Sequence, residues 1–195
     1  MLRSYVAFIG VAVVLGLLPG PSFGQIRQSD QPTACGIITR EDAQKFVGGP
    51  LDVKEQANVP INNAPGAYNS ICTYVAPGVD VDRALTSPRL LDLTLHFLDT
   101  AESMATIYEN SVIGYTQLTT KPDPRFKNPT INYLSGFGDK AFVFEAVTDP
   151  ESGYKSALIV FYKGRIGGSI AAWKKPEPAL ETSKAVLKLI LSRLP

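Results

Sequence analysis

The two cysteines of the chain, Cys35 and Cys72, are the feature that most constrains its fold. In an exported protein such a pair most economically forms one disulfide, because oxidising compartments preserve the bond. The alternatives are a nucleophilic cysteine or a metal pair, but a Cys–His site has only His96 to draw on. A structural zinc site usually needs about four ligands. The sequence therefore favours a bridge that ties the first predicted helix to an early strand.

The start of the chain has the organisation of a secretory signal peptide. Arg3 supplies a positive charge, the run from Tyr5 to Leu18 is apolar and uncharged, and Ser22-Phe23-Gly24 follows the small–x–small pattern of a cleavage site. The apolar run is shorter than the ~20 residues of a spanning helix, which favours a cleaved peptide over a retained anchor. We expect a secreted or periplasmic protein. The predicted boundaries are a signal peptide at 1–24, a flexible lead-in at 25–34 and a single domain at 35–195.

Three segments carry helix signals. Thr39 is placed to cap a helix that stops at Gly48-Gly49, with carboxylates in its first turn. Thr100 is placed to cap a second helix, which we expect to end at Asn110. Pro178 opens a third, whose leucines and other apolar residues recur at helical spacing up to the end of the chain. The sequence therefore predicts three helices.

Strand signals cluster between these helices. The clearest is Leu91–Phe97, which alternates strictly between apolar and polar residues and so predicts one buried face and one wet face. Shorter strands are predicted at 71–75, 141–147, 157–162 and 168–173, with a ragged edge strand within 51–70. Because the strands do not alternate singly with helices, the predicted class is α+β. We expect a single antiparallel sheet of about five to six strands with three helices packed on it.

Five segments also form a recognisable set: CGIITRED at 35–42, FVGGP at 46–50, CTY at 72–74, GFGDKA at 136–141 and the end of a Leu-rich helix at 193–195. Together they resemble a family of small exported bacterial proteins of unknown function, many of which are lipoproteins. The resemblance implies a paired-cysteine domain similar to the PsbP-like α/β/α sandwich. It transfers no catalytic residue. The chain departs from that family because it lacks the lipid-anchoring cysteine.

Composition and motifs point away from several functions. The formal net charge is +1 and no Lys/Arg run occurs, so the chain has no basic surface suited to nucleic acid. The single histidine, His96, shares the wet strand face with Asp92, but about 13 Å of extended chain separates the two. No nucleophile elbow, Walker loop, dinucleotide fingerprint or metal-ligand cluster is present. We therefore predict no cofactor, no metal and no catalytic residue.

The segment from Gly114 to Gly138 shows no clear periodicity and is expected to be a long surface loop, a kind of segment that often carries function. Aromatic residues in or near irregular segments are favoured at contact sites. The leading hypothesis is a non-enzymatic exported domain, a binding or envelope-accessory protein, whose partner is an unknown protein or a small apolar ligand of the cell envelope. The alternatives are a hydrolase that uses His96 and a purely structural envelope component. The candidate binding surface consists of Tyr115, Phe126, Tyr133 and Trp173.

Overall fold

The computed structural model of the chain describes residues 32–61, 66–80, 87–121, 126–149, 151 and 153–195. The predicted signal peptide lies outside these residues, as does most of the predicted lead-in. The described residues contain four helices and seven strands. In chain order these are α1 (Ala34–Ile37), α2 (Arg40–Val47), β1 (Asp52–Pro60), β2 (Tyr68–Val75), β3 (Arg89–Phe97), α3 (Ala101–Thr120), β4 (Lys127–Leu134), β5 (Lys140–Asp149), β6 (Tyr154–Lys163), β7 (Ile166–Lys174) and α4 (Ala179–Arg193).

The strands form one antiparallel sheet in the order β1-β2-β3-β7-β6-β5-β4. Two meanders are therefore joined side by side, β1 to β3 and β4 to β7. The joint is the long pairing of β3 with β7, in which Leu93 lies opposite Ile170 and His96 lies opposite Gly167. This pairing places the only histidine of the chain near the middle of the sheet.

The predicted fold, a sheet of about five to six strands with three helices, is wrong. The described residues hold seven strands and four helices. The missed strand is β4, and the missed helix is the single turn α1. Both lie where the sequence offers little apolar periodicity. The predicted loop Gly114–Gly138 is also wrong, because α3 continues to Thr120 and β4 follows it.

One face of the sheet is covered by α1, α2 and α4, and we call it the three-helix face. The apolar residues of β3 alternate with its polar residues and face these helices. Leu93 and its partner on β7, Ile170, lie on this face and are fully buried. Helix α4 buries Val186, Leu187 and Ile190 against them. The apolar stripe that the sequence shows in this helix thus serves to close the core.

The opposite face carries α3, and we call it the α3 face. Met104 and Tyr108 are the buried residues of this helix. They pack on Phe142, Val160 and other side chains of β5 and β6, forming a second hydrophobic cluster. Helix α3 also contacts β4 and β7. The α3 face therefore has its own smaller core, built around a single helix.

The two edge strands, β1 and β4, each contain a β-bulge at an asparagine. Each contains an asparagine with positive φ at a break in strand register, Asn58 (φ 54°) in β1 and Asn128 (φ 51°) in β4. Asparagine tolerates this conformation better than most residues, and a bulge twists an exposed edge away from flat pairing with another chain. The bulge also makes β4 difficult to recognise in the sequence, because it interrupts the regular alternation of side chains between the two faces of the strand.

The predicted disulfide between Cys35 and Cys72 is confirmed. It joins α1 to β2 with a Cα–Cα distance of 5.1 Å, and Cys72 is fully buried. Next to it the backbone N–H of Ala34 donates to Ser70 Oγ at 2.8 Å. In the next helix Thr39 and Asp42 form a capping box, as expected for the start of α2. None of the helices in the described part of the chain is long and apolar enough to cross a membrane.

Candidate functional site

The four aromatic residues of the predicted binding surface lie in different surroundings. Trp173 is only 1% exposed, and its Nε1–H donates to the Ser87 carbonyl oxygen at 3.0 Å. Tyr133, on the edge strand β4, is 70% exposed. Tyr115 and Phe126 both contact the Phe144 ring, with centroid distances of 5.0 and 5.4 Å. The structure therefore brings Tyr115 and Phe126 together, while Trp173 is part of the buried core.

Tyr115 also lines a cavity between α3 and the sheet. The cavity has a volume of about 170 Å³. Its apolar walls are Met104, Ile107 and Val160, and its polar groups come from α3 and from the two central strands β3 and β7. We regard this cavity as the candidate functional site. The polar residues that line it are His96, Tyr108, Ser111, Tyr115 and Ser169.

Small residues of β7 create the space beneath α3. Gly167 lies on the α3 face, opposite His96, and a Cβ atom there would come within 2.8 Å of the Met104 side chain. Such a contact is too close for real atoms, so any larger residue would force Met104 to move. Ser169, the next residue of β7 on this face, is also short. The helix can therefore approach the sheet at Gly167 while a cavity remains beside it.

His96 is held from the neighbouring strand. Asn69 lies directly opposite it on β2, and the distance from His96 Nδ1 to Asn69 Oδ1 is 2.6 Å. With the Asn69 amide oxygen facing the ring, as placed here, the hydrogen bond requires the imidazole proton to be on Nδ1. Burial lowers the pKa of His96 below its usual value, which favours the neutral ring at neutral pH. Nε2 is then the ring nitrogen that carries the lone pair.

Tyr108 contributes a buried hydroxyl group. The side chain is 1% exposed, and its ring contacts Phe142 and Tyr162 edge-on at 5.5 and 5.2 Å. Within the described ranges, its hydroxyl has no hydrogen-bond partner. Burial raises the pKa of Tyr108 to about 12, with smaller contributions from Tyr133 and other neighbours. The group stays neutral, and leaving it unpaired costs about 1–3 kcal/mol.

Asp92 is close in sequence to His96 but forms its side-chain hydrogen bond with Thr73. Its Oδ1 accepts a hydrogen bond from Thr73 Oγ1 at 2.6 Å, and burial raises its pKa. The hydrogen-bond partner of His96 is Asn69. In the described parts of the chain, no group of three or more His, Cys, Asp or Glu side chains is placed to hold a metal ion. The described residues that line the cavity thus supply an imidazole and hydroxyl groups, and none of them carries a charged side chain.

A second, more open depression lies near the end of β6, and its polar groups have structural roles. Asp139 Oδ2 accepts the backbone N–H of Gly164 at 2.7 Å. Lys163 Nζ donates to the carbonyl oxygens of Leu191 and Leu194, both at 3.4 Å. These contacts fix the turn between β6 and β7 and the end of α4. We therefore regard the cavity under α3 as the better candidate.

Sequence reasoning missed several of the relevant residues. Tyr108 falls within the predicted second helix, with no role predicted for it, and Ser111 lies just beyond the predicted end of that helix at Asn110. The spacing of Tyr108, Ser111, Tyr115 and Leu118 places them on one helical face and could have revealed the longer helix. No sequence pattern identifies Asn69 as a partner of His96, because their contact depends on the register of β2 with β3.

Comparisons of the chain with protein-family models, curated proteins and solved structures gave no match. The resemblance to small exported proteins therefore stays a prediction.

Proposed function

We propose that the chain is an exported binding domain that holds a small, uncharged molecule in the cavity between α3 and the sheet. The observation that carries the proposal is the cavity itself, about 170 Å³ in volume and without a charged side chain among the described residues that line it. A cavity of about 150 Å³ can hold a benzene molecule, whereas drug-sized ligands occupy roughly 300–1,000 Å³. The cavity therefore suits a ligand the size of one ring.

Export is supported by the disulfide. The Cys35–Cys72 bond joins a buried strand to a helix, and such structural bonds are typical of oxidising compartments. The signal-peptide pattern at 1–24 points to the same location. A secreted or periplasmic binding domain agrees with both features.

The aromatic residues expected to form a binding surface contribute to this proposal through Tyr115 alone, because it lines the cavity. The alternative function, hydrolysis by His96, requires a nucleophile hydrogen-bonded to the imidazole. The contacts of His96 support binding better, since Asn69 holds its Nδ1 and Asp92 is paired with Thr73.

Toluene is a suitable probe for the cavity. We expect toluene to shift the NMR signals of Tyr108, Tyr115 and His96 in the folded protein. The variant Ser111→Leu places a larger side chain in the wall of the cavity and should abolish the effect. Thr116→Leu is the matched control, because this residue is exposed on the same helix and should leave toluene binding unchanged. Absence of toluene binding in the wild type, or equal binding by Ser111→Leu, would contradict the proposal.

A further inference from the structure

His96 contributes to the cavity lining one ring nitrogen that Asn69 does not engage. His96 Nδ1 is engaged by Asn69 Oδ1 at 2.6 Å, so the ring nitrogen left for a ligand is Nε2. In the neutral ring with its proton on Nδ1, Nε2 carries a lone pair and accepts. The part of the chain that the structure describes supplies no hydrogen-bond donor to Nε2.

The other polar side chains that line the cavity carry hydroxyl groups, which can both donate and accept hydrogen bonds. Ser111 Oγ donates to the Ile107 carbonyl oxygen at 2.9 Å, the usual back-bond of a serine within a helix. Tyr108 and Tyr115 are the titratable groups of α3 that line the cavity, and burial raises the pKa of both. On the neighbouring strands, Asn69 and Ser169 do not titrate. The cavity is therefore a neutral environment in which His96 Nε2 can only accept a hydrogen bond, whereas the hydroxyl groups beside it can both donate and accept.

We propose that the cavity selects ring-sized, uncharged molecules that carry a hydroxyl or similar donor, and that His96 Nε2 accepts the hydrogen bond from that group. Asn69 is a positioning residue, since it fixes the tautomer and the orientation of the imidazole. This inference rests on the proposed binding function. A carboxylate or ammonium ligand is disfavoured, because burying an ionised group without a charged partner is costly.

The test compares phenol with toluene, which has a similar size but no hydroxyl group. Calorimetry on the full mature protein should show phenol binding roughly two- to tenfold more tightly than toluene, the range expected for one neutral hydrogen bond. The variant His96→Phe keeps a ring at this position and removes the acceptor, so the preference for phenol should disappear. Thr94→Val, two residues away on the same strand face, is the matched control and should retain the preference.

A second measurement does not depend on whether His96→Phe folds. The chain has a single histidine, so ¹⁵N labelling of histidine gives imidazole signals from one source. We expect a protonated Nδ1 and an unprotonated Nε2, with the Nε2 signal shifted by phenol and hardly affected by toluene. In Asn69→Leu the tautomers should mix and the preference for phenol should decrease.

The outcomes separate this inference from the proposed function. If both probes bind equally and Ser111→Leu blocks both, the binding function holds and the role of His96 is overturned. If Nε2 carries the proton in the wild type, or if His96→Phe keeps the preference for phenol, the inference is likewise overturned. If neither probe binds, both proposals fail. Tighter binding of phenol, together with a phenol-dependent shift of Nε2, supports the inference.

Discussion

The two faces of the sheet differ in how well their buried polar groups are paired and their side chains packed. On the three-helix face most of the buried polar groups are paired: Ser183 Oγ bonds to the N–H and C=O groups of Ala172, and the Tyr74 hydroxyl donates to the Ile38 carbonyl oxygen at 2.6 Å. Arg89 Nε, near Gly49 after the end of α2, is a buried atom of this face that has no partner among the described residues. On the α3 face the Tyr108 hydroxyl has no partner within the described ranges, and a cavity adjoins it. Unpaired buried groups and cavities both cost stability.

We infer from this difference that the three-helix face mainly stabilises the fold and that the α3 face binds the ligand. The three-helix face contains the disulfide and the ion pair between Asp42 and Arg193, and both join parts of the chain that are far apart in sequence. The α3 face has fewer such links among the described residues, and the cavity under α3 lies on it. Less well packed regions are where binding sites are found, because a ligand can supply the missing contacts. If stability and binding are separated in this way, substitutions on the three-helix face should change stability and substitutions at the cavity should change binding.

The largest expected effect comes from the disulfide. The bond closes a loop with a sequence separation of 37, for which loop-closure entropy predicts a stabilisation of about 4 kcal/mol. We expect the double variant Cys35→Ala/Cys72→Ala to lose most of this free energy in urea unfolding. Toluene should still bind to the folded fraction, since the cavity lies on the other face. Unchanged stability would show that the bond is not a main support of the three-helix face.

A pair of equivalent substitutions compares the two faces directly. Ser183 is fully buried under α4 and hydrogen-bonded, so Ser183→Leu should destabilise the protein by about 1–3 kcal/mol through overpacking and lost hydrogen bonds. Ser111→Leu projects into existing space and should change the free energy of unfolding by less than about 1 kcal/mol. Urea denaturation of both variants measures the difference. Equal losses would mean that the cavity is not available space.

The secondary structure could be predicted where a local signal was strong. Helix α2 is specified by its Thr39 cap and the glycines after it, and β3 by strict alternation. Strand β4 could not be recognised, because Pro129 and the bulge at Asn128 interrupt the pattern and most of its side chains are exposed. The later part of α3 was missed because Gly114 and several threonines weaken the helix signal.

The candidate site was harder to predict than the fold. Its residues come from two strands and one helix, and they meet only because β3 pairs with both β2 and β7. The contact between His96 and Asn69 spans 27 positions in the sequence and follows from the register. A cavity depends on side-chain volumes across several elements, and single-sequence patterns do not report them. The sequence did place His96 on the less apolar strand face, which is where the cavity lies.

The ion pair on the three-helix face should make stability depend on acidic pH. The hydrogen bond from Arg193 lowers the pKa of Asp42 to about 2, below the value of an unfolded aspartate. Its stabilisation is therefore complete above about pH 4 and is lost as the pH falls towards 2. Because Arg193 is partly exposed, we expect a loss of roughly 1–2 kcal/mol. Urea midpoints over this range should decline in the wild type and less so in Asp42→Asn, and parallel curves would contradict the prediction.

The smallest effect should come from the α3 face, at milder pH. Burial lowers the pKa of His96 in the folded state, so the unfolded chain takes up a proton first as the pH falls. Stability should therefore decrease below about pH 6.5, where an unfolded histidine titrates. Asp92 has the opposite effect, because its raised pKa adds stability as the pH falls through that pKa. The difference in urea midpoint between the wild type and His96→Phe isolates the histidine, since Asp92 is present in both. A constant difference across about pH 5–7 would show that His96 is not buried as a neutral ring, and would remove the acceptor on which selection of a hydroxyl ligand depends.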